Sequence, residues 1–520
     1  MVNLYIQPYL WKKKEIKLFN KNLYEHITIK NTQFYNPIYS LYLYYHNTAN
    51  SKQILDIYKN NVLKLITNSY EHKNYNSNKL LKGYIFNNSN NSLQEKDIFC
   101  KIIPLLDPMN YIMNNYSLNY NNILLPSNYK YNLFSKLNSI ENSAYIENLF
   151  SIISNYLCDN NILPFLPLSY GSVTGINTLF KYDISEEYIH FVNEKWFRKN
   201  LGKLFTLDIY SYTDSNTSSD TGSNTSSDTG SDTDLNTSSD IDSDTGSNSK
   251  RSYISNNSNF SNQSKYSYTS SNIYNYDECI CNIRDMPVMS IFVEKLDGTF
   301  NKVIFDNTNK CINYKLINSA MFQIVFSLLF LQKHFNFCHN DLHINNIMYK
   351  KTKSKFFYFK YNNKYFKVPT YGKIFKIIDF GRSIFKFKNK TFYNDVFSKY
   401  GEAHGQYNYP SQINFDTDKY PKVNYSFDIC RLAITIYEEV NDYKIDKNNE
   451  EFQEFNTIFT KIMTDKNNNN LYKNNDDFQL YIDITNNCTN GLPYNLIHNK
   501  YFKKYLVKKK SMPKKYYSIN

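Results

Sequence analysis

Between residues 337 and 350 the chain reads FCHNDLHINNIMYK, and within it His339, Asp341, His343 and Asn346 recur at short intervals among apolar residues. Three readings fit such a set. Residues 339, 341 and 343 alternate, so on a strand they would face one way and suit a metal hydrolase. A polar turn in a buried region needs no chemistry at all. The third reading adds Asp379, which ends the apolar run KIFKII and precedes Phe380 and Gly381. Transfer of a phosphoryl group from ATP requires one carboxylate to orient the attacking hydroxyl and take its proton. It also requires oxygen ligands to hold magnesium across the phosphates. Asp341 suits the first task, Asn346 and Asp379 the second. The hydrolase reading leaves Asn346 and Asp379 without a role.

These residues need elements to hold them. INSAMFQIVFSLLFLQKHF, at 317–335, is apolar nearly all round and predicts a buried helix directly before the polar loop. Ahead of it, YIFNN and DIFCKIIPLL read as strands, and SAYIENLFSIISNYL, with Ile146, Leu149, Phe150, Ile153 and Leu157 on one stripe, reads as a helix. LPFLPLSYGSV returns to strand, and MPVMSIFVEKLDGTF is a strand running into a turn at Asp297 and Gly298. FFYFKYNNKYFKV predicts a hairpin turning at Asn362 and Asn363. SFDICRLAITIYEEV, at 426–440, is an amphipathic helix. A strand-rich first part, a helix-rich second part and polar motifs at their junction make an α+β arrangement with a cleft.

The 520 residues, 41% hydrophobic and 17% aromatic, are enough for one large or two ordinary cores. Asn, Lys, Ile, Tyr and Phe are abundant and Gly and Pro scarce, a bias of the kind an AT-rich genome imposes. The formal net charge is +13 although the tract 211–249 holds eight Asp and no Lys or Arg. Such a balance favours anionic partners: nucleic acid, phosphorylated ligands or acidic membrane. Eight cysteines form no CxxC pair, which predicts a reduced, intracellular protein. The start lacks a signal-peptide core, and the run AMFQIVFSLLFL is too short to span a bilayer, so a soluble chain without a transmembrane segment is expected. Residues 211–272, with SNTSSDTG repeated in tandem, predict a disordered insertion. The tail YFKKYLVKKKSMPKKYYSIN puts seven Lys in 18 residues. It is expected to be an unstructured terminus with the charge to meet an acidic substrate or nucleic acid.

HNDLHINN resembles the catalytic loop His-Arg-Asp-x-x-x-x-Asn of protein kinases, and IIDFG resembles their Asp-Phe-Gly element. Both occur in the family's order, one after an apolar helix and the other at a strand end. The resemblance implies a bilobal protein-kinase-like fold, with a small β-rich N-lobe and a helical C-lobe. It makes Asp341 the catalytic base, Asn346 and Asp379 the magnesium ligands and His339 the residue that supports the loop. It implies ATP and Mg2+ as cofactors and a protein substrate, with Ser/Thr specificity as the family default. A Lys that grips the α- and β-phosphates falls on Lys101 in DIFCKIIPLL. Its acidic partner falls on Glu147 in the following helix, with Glu141 the second choice. VEKLDGTF resembles the kinase hinge, whose backbone holds adenine, here at Glu294 and Leu296. SFDICRLA resembles the helix whose Asp pins the catalytic loop, here Asp428.

The chain also departs from the family. No Gly-x-Gly-x-x-Gly precedes Lys101, and only Gly83 is near. Asn340 stands where kinases carry the Arg that reads a phosphorylated activation loop, and the FFYFKYNNKYFKV hairpin lengthens the interval from Asp341 to Asp379. With the composition, these features look like the divergent protein-kinase-like proteins of giant DNA viruses, for which host cytoplasm or virion is the expected location. His343 stands where protein kinases usually have Lys and resembles the phosphotransferases that modify choline or aminoglycosides, the alternative enzyme. A catalytically inactive scaffold is the second alternative. The expected organisation is an N-terminal extension at 1–75, an N-lobe at 76–210, the insertion at 211–272, the end of the N-lobe and hinge at 273–310, a C-lobe at 311–500 and a basic tail at 501–520.

Overall fold

The computed structural model describes residues 12–38, 61–72, 76–88, 90–116, 124–127, 134–210, 278–387, 390–399, 401–407, 409, 422–443, 445–473 and 477–519. The insertion expected to be disordered lies outside them. The fold is mixed α+β. Its first part is α1 (Lys13–Ile27), β1 (Ile29–Gln33), β2 (Asn61–Glu71), β3 (Lys79–Asn87), β4 (Ser92–Pro104), α2 (Ser143–Asp159), β5 (Ser169–Asp183), β6 (Phe205–Tyr210) and β7 (Glu278–Glu294). These strands form one curled antiparallel sheet in the order β1-β5-β7-β4-β3-β2, with β6 paired to β7 off that path.

A boundary at residue 75 does not hold. β1 pairs with β5 and β2 pairs with β3, so residues on the near side of 75 belong to the sheet. The cause is apolar: Ile29, Val62, Leu63 and Ile66 are buried, and the sheet is what covers them. Gly83 lies inside β3 rather than in a loop, where a Cβ would come 2.5 Å from the Leu65 carbonyl oxygen. It marks a close backbone approach beside a register shift in the β2–β3 pair. Residues 72–78 join β2 to β3, and the strand they lead into starts beside Lys101: Lys79 pairs with Cys100, and Ile102 N–H donates to Asn78 Oδ1 at 2.8 Å. That connection contains no glycine.

The second part is built on α3 (Tyr314–Phe335), which follows a two-residue strand β8 (Gly298–Thr299). Then come β9 (Ile347–Lys351), β10 (Phe356–Tyr361), β11 (Lys364–Pro369), β12 (Lys373–Ile377), α4 (Phe427–Asn441), α5 (Glu450–Ile462), α6 (Asp477–Asn487) and two terminal strands, β13 (Leu506–Val507) and β14 (Tyr517–Ile519). β9 sits between β12 and β8 and carries the polar loop away from the cleft. The β10–β11 hairpin turns through Asn362 at φ 50°, a left-handed position that Asn tolerates.

α3 is the helix, among the described residues, that is long and apolar enough to cross a membrane, and 94% of its most apolar window is buried inside the protein. It is the core that later elements cover. Phe322 meets Phe359, Phe366, Phe502 and Tyr505 with ring centroids 5.0–5.7 Å apart. The C-terminal residues are therefore docked rather than unstructured. β13 pairs with β11, β14 pairs in parallel with β10, and Tyr501, Phe502, Tyr505 and Ile519 are buried. The lysines of that stretch mask an aromatic set that pays its ordering entropy through burial against α3.

Candidate active site

β4 and α2 bring Lys101 and Glu147 together. β4 carries Lys101 toward α2, which starts with an Asn142 N-cap that accepts from Ala144 N–H. One turn into α2, Glu147 Oε1 lies 2.6 Å from Lys101 Nζ. Asp379 Oδ1 lies 2.9 Å from the same nitrogen, so one ammonium is shared by two carboxylates. Burial works against the Lys101 charge, and Asp379 and Glu147 outweigh it, holding its pKa above the ordinary lysine value. Burial pushes the Glu147 carboxyl up to about 7 despite Lys101. Burial also disfavours charge on Asp379, but Lys101 prevails and brings its pKa down to about 2. Glu147 is nearly enclosed, at 7% side-chain exposure, whereas Asp379 is 43% exposed. Glu141, the second choice, precedes α2, and its carbonyl accepts from Asp395 N–H at 2.8 Å.

The polar loop after α3 is held from beneath. Asp428, fully buried at the start of α4, accepts from His339 N–H at 2.8 Å and Asn340 N–H at 2.9 Å. Burial raises its pKa against those bonds. His339 donates from Nε2 to the Ile378 carbonyl at 2.9 Å and accepts the Asp341 N–H at Nδ1, at 3.3 Å. With both ring nitrogens engaged, His339 has no lone pair for a metal, which removes the hydrolase reading of 339, 341 and 343. Among the described residues there is no group of three or more His, Cys, Asp or Glu able to hold a metal.

Asn346 Nδ2 donates to the Asp341 carbonyl at 2.9 Å and to His343 Nε2 at 3.0 Å, so both amide hydrogens are used and Oδ1 is left as the acceptor. Burial lowers the His343 pKa, which suits a neutral ring accepting at Nε2. Ile378 N–H donates to the Asn346 carbonyl at 3.0 Å, which ties Asn346 to the residue preceding Asp379. Asp379 itself has φ 63°, a left-handed backbone that a non-Gly residue adopts at a cost. Phe380 packs behind it against Phe150 of α2 at 4.5 Å and His339 at 6.0 Å, joining the helix of Glu147 to the loop of Asp341 through one aromatic stack.

At the expected hinge, the Glu294 N–H donates to the Leu168 carbonyl at 3.0 Å and is not available to a ligand. The Glu294 side chain is buried and turned to Lys376, with which it forms a very short ion pair, and to Lys350 at 3.1 Å. The Leu296 N–H makes no hydrogen bond among the described residues.

Several contributors escape sequence reasoning. Tyr481, on α6, donates from its hydroxyl to Asp341 Oδ1 at 2.8 Å, and the Arg431 guanidinium lies 5.1 Å over its ring. Arg382 Nη1 is 3.8 Å from the same carboxylate oxygen. Asn340, at φ 62°, is built into the fold by bonds to the Arg382 carbonyl and the Tyr409 and Tyr407 hydroxyls. The signal for Tyr481 is absent from the sequence: it lies far from Asp341 along the chain, and Tyr occurs 50 times. Compared with known proteins, the chain matches no family model and no curated protein sequence.

Proposed function

We propose that the protein is a phosphotransferase with a bilobal protein-kinase-like fold, moving the ATP γ-phosphoryl group to a Ser or Thr hydroxyl of a protein. The observation that carries this reading is the Lys101 ammonium shared between enclosed Glu147 and exposed Asp379, beside a loop that presents Asp341 and Asn346. Asn346 Oδ1 and the Asp379 carboxylate fit magnesium, which takes one or two protein oxygens and fills its shell with water and phosphate. Bound there, it would neutralise the phosphate oxygens.

The remaining work falls to this chain's own groups. Glu147 holds Lys101 in place so that its ammonium meets phosphate oxygens. Asp341 orients the acceptor hydroxyl and takes its proton, with Tyr481 donating to one carboxylate oxygen and leaving the other to the substrate. Asp428 and His339 keep the loop in register. The Leu296 N–H is a donor for the adenine edge.

The test is transfer of labelled γ-phosphate, with magnesium, to the protein itself, casein and a panel of small alcohols, comparing wild type with Asp341→Asn. Label on protein that disappears in the variant is the expected result. Label on a small alcohol transfers the proposal to the choline or aminoglycoside type. Nucleotide bound without any transfer replaces it with a scaffold.

A further inference from the structure

Two stretches remote in sequence form one sheet, in the order β13-β11-β10-β14. The first, residues 353–369, contains five Lys and no Asp or Glu. The second, 484–520, contains eight Lys and again no Asp or Glu. The fold therefore concentrates positive charge that neither stretch carries alone. Among the described residues, the ion pair these lysines make is Lys504 with Glu454. Lys508, Lys509 and Lys510 are exposed, and the stretch containing them leads from one edge strand of the sheet to the other.

The same sheet also carries rings on its outer face, Phe356 and Tyr516 exposed and Tyr358 and Tyr365 half-buried. On β10 and β11 the residues Phe357, Phe359, Phe366 and Val368 turn inward and are buried, so the alternate residues, Tyr358, Lys360, Tyr365 and Lys367, face the other way. Their register sets Tyr358 opposite Lys367 and Lys360 opposite Tyr365, a checkerboard of rings and cations. Phe356 at the strand's start is 38% exposed with Lys367 Nζ 4.0 Å over its ring, and Tyr516 beside β14 is 41% exposed. Exposed aromatic rings leave apolar area in water, and a partner that covers them recovers that free energy.

We propose that this sheet binds single-stranded nucleic acid. Lysines would neutralise the phosphate backbone, and rings on an open sheet face would stack bases, each of which has a π-face whatever its sequence. A merely acidic polypeptide would use the lysines and leave the rings idle. The inference is independent of phosphoryl transfer, since no residue of the cleft takes part.

The test measures the anisotropy of a fluorescein-labelled 20-mer oligothymidylate titrated with the full chain between 50 and 300 mM salt. Contact with about five phosphates gives a slope of log K on log salt near about −3.5. Lys508→Glu/Lys509→Glu/Lys510→Glu should weaken binding at least about tenfold at low salt and flatten the slope by about 2. Tyr358→Ala/Tyr516→Ala should weaken it about tenfold with the slope unchanged, because stacking releases no counterions. Melting curves that match wild type establish that both variants are folded, and Tyr516→Ala alone, outside the strands, serves if the double variant is not. Absence of binding at 50 mM salt overturns the proposal. So does a duplex of equal length binding as tightly, poly-glutamate of equal charge competing as well, or ring variants that bind like wild type.

Discussion

Two clusters of lysine and carboxylate lie a few residues apart in this protein and do opposite things with the same groups. In the cleft, Lys101 is shared by Glu147 and Asp379, and Asp379 is 43% exposed. At the end of β7, Glu294 and Lys376 are 4% and 5% exposed; Glu294 also takes Lys350 at 3.1 Å and the Leu168 N–H at 2.9 Å, and Lys376 also donates to the Leu166 carbonyl at 2.9 Å. Burial disfavours the charge on both members of that pair, yet Lys376 and Lys350 hold Glu294 below its ordinary pKa, and Cys158 and Glu294 hold Lys376 above its own. The second cluster is closed and can only support structure. The first is open, with an exposed carboxylate and a cation at its mouth, and can accept a ligand's charge.

The sharpest way to break this contrast is at the open cluster's neighbour. Asp341→Asn should cut phosphoryl transfer by about 10²–10⁴-fold while nucleotide binding, followed by equilibrium dialysis, stays within about threefold. Next, Lys101→Met and Lys376→Met should exchange their effects. The first should lower turnover by at least about 100-fold with little change in denaturant midpoint. The second should lower stability measurably, because it leaves the buried Glu294 carboxylate with Lys350 as its remaining cation, while turnover per folded molecule holds. Equal stability losses in the two variants would erase the distinction drawn here.

Tyr481→Phe should reduce turnover about tenfold and shift its pH dependence, since the Asp341 carboxylate loses a donor worth about 1.5 kcal/mol. A smaller effect concerns Glu147. Its folded pKa, raised to about 7 from 4.5, means the folded protein binds more protons than the unfolded chain between those values. The group therefore favours folding less as pH rises from 4.5 to 7. Wild type should lose stability relative to Glu147→Gln across that window, and a constant difference would show that Glu147 is already ionised at its lower end. Smallest of all, replacing residues 211–277 by an Asn-Gly turn should leave the melting temperature unchanged, because Tyr210 and Glu278, on either side, are already paired.

What was legible in the sequence follows from distance along the chain. Asp341, Asn346 and Asp379 belong to short motifs whose spacing is set by local backbone, and α3 and α4 follow from their apolar periodicity. Tyr481 and Arg431 reach the site from other helices, and nothing local marks them. The C-terminal strands were hidden by charge: seven Lys obscure Tyr501, Phe502 and Tyr505, whose apolar partner, Phe322, is remote in sequence. Residues 29–33 and 61–71 likewise carry no local sign of their place in the sheet, because the strands they pair with lie beyond residue 75.

The burial of α3 also imposes an order of events on biosynthesis. Its 22 residues leave the ribosome long before Phe502 and Tyr505, which cover Phe322, have been made. For that interval Phe359 and Phe366 can reach Phe322 but the C-terminal half of its cover is missing, and apolar surface left open in this way is where chaperones engage and aggregates start. A messenger interrupted shortly before codon 501 would therefore yield a product whose cleft motifs are all intact and whose fate is the protease.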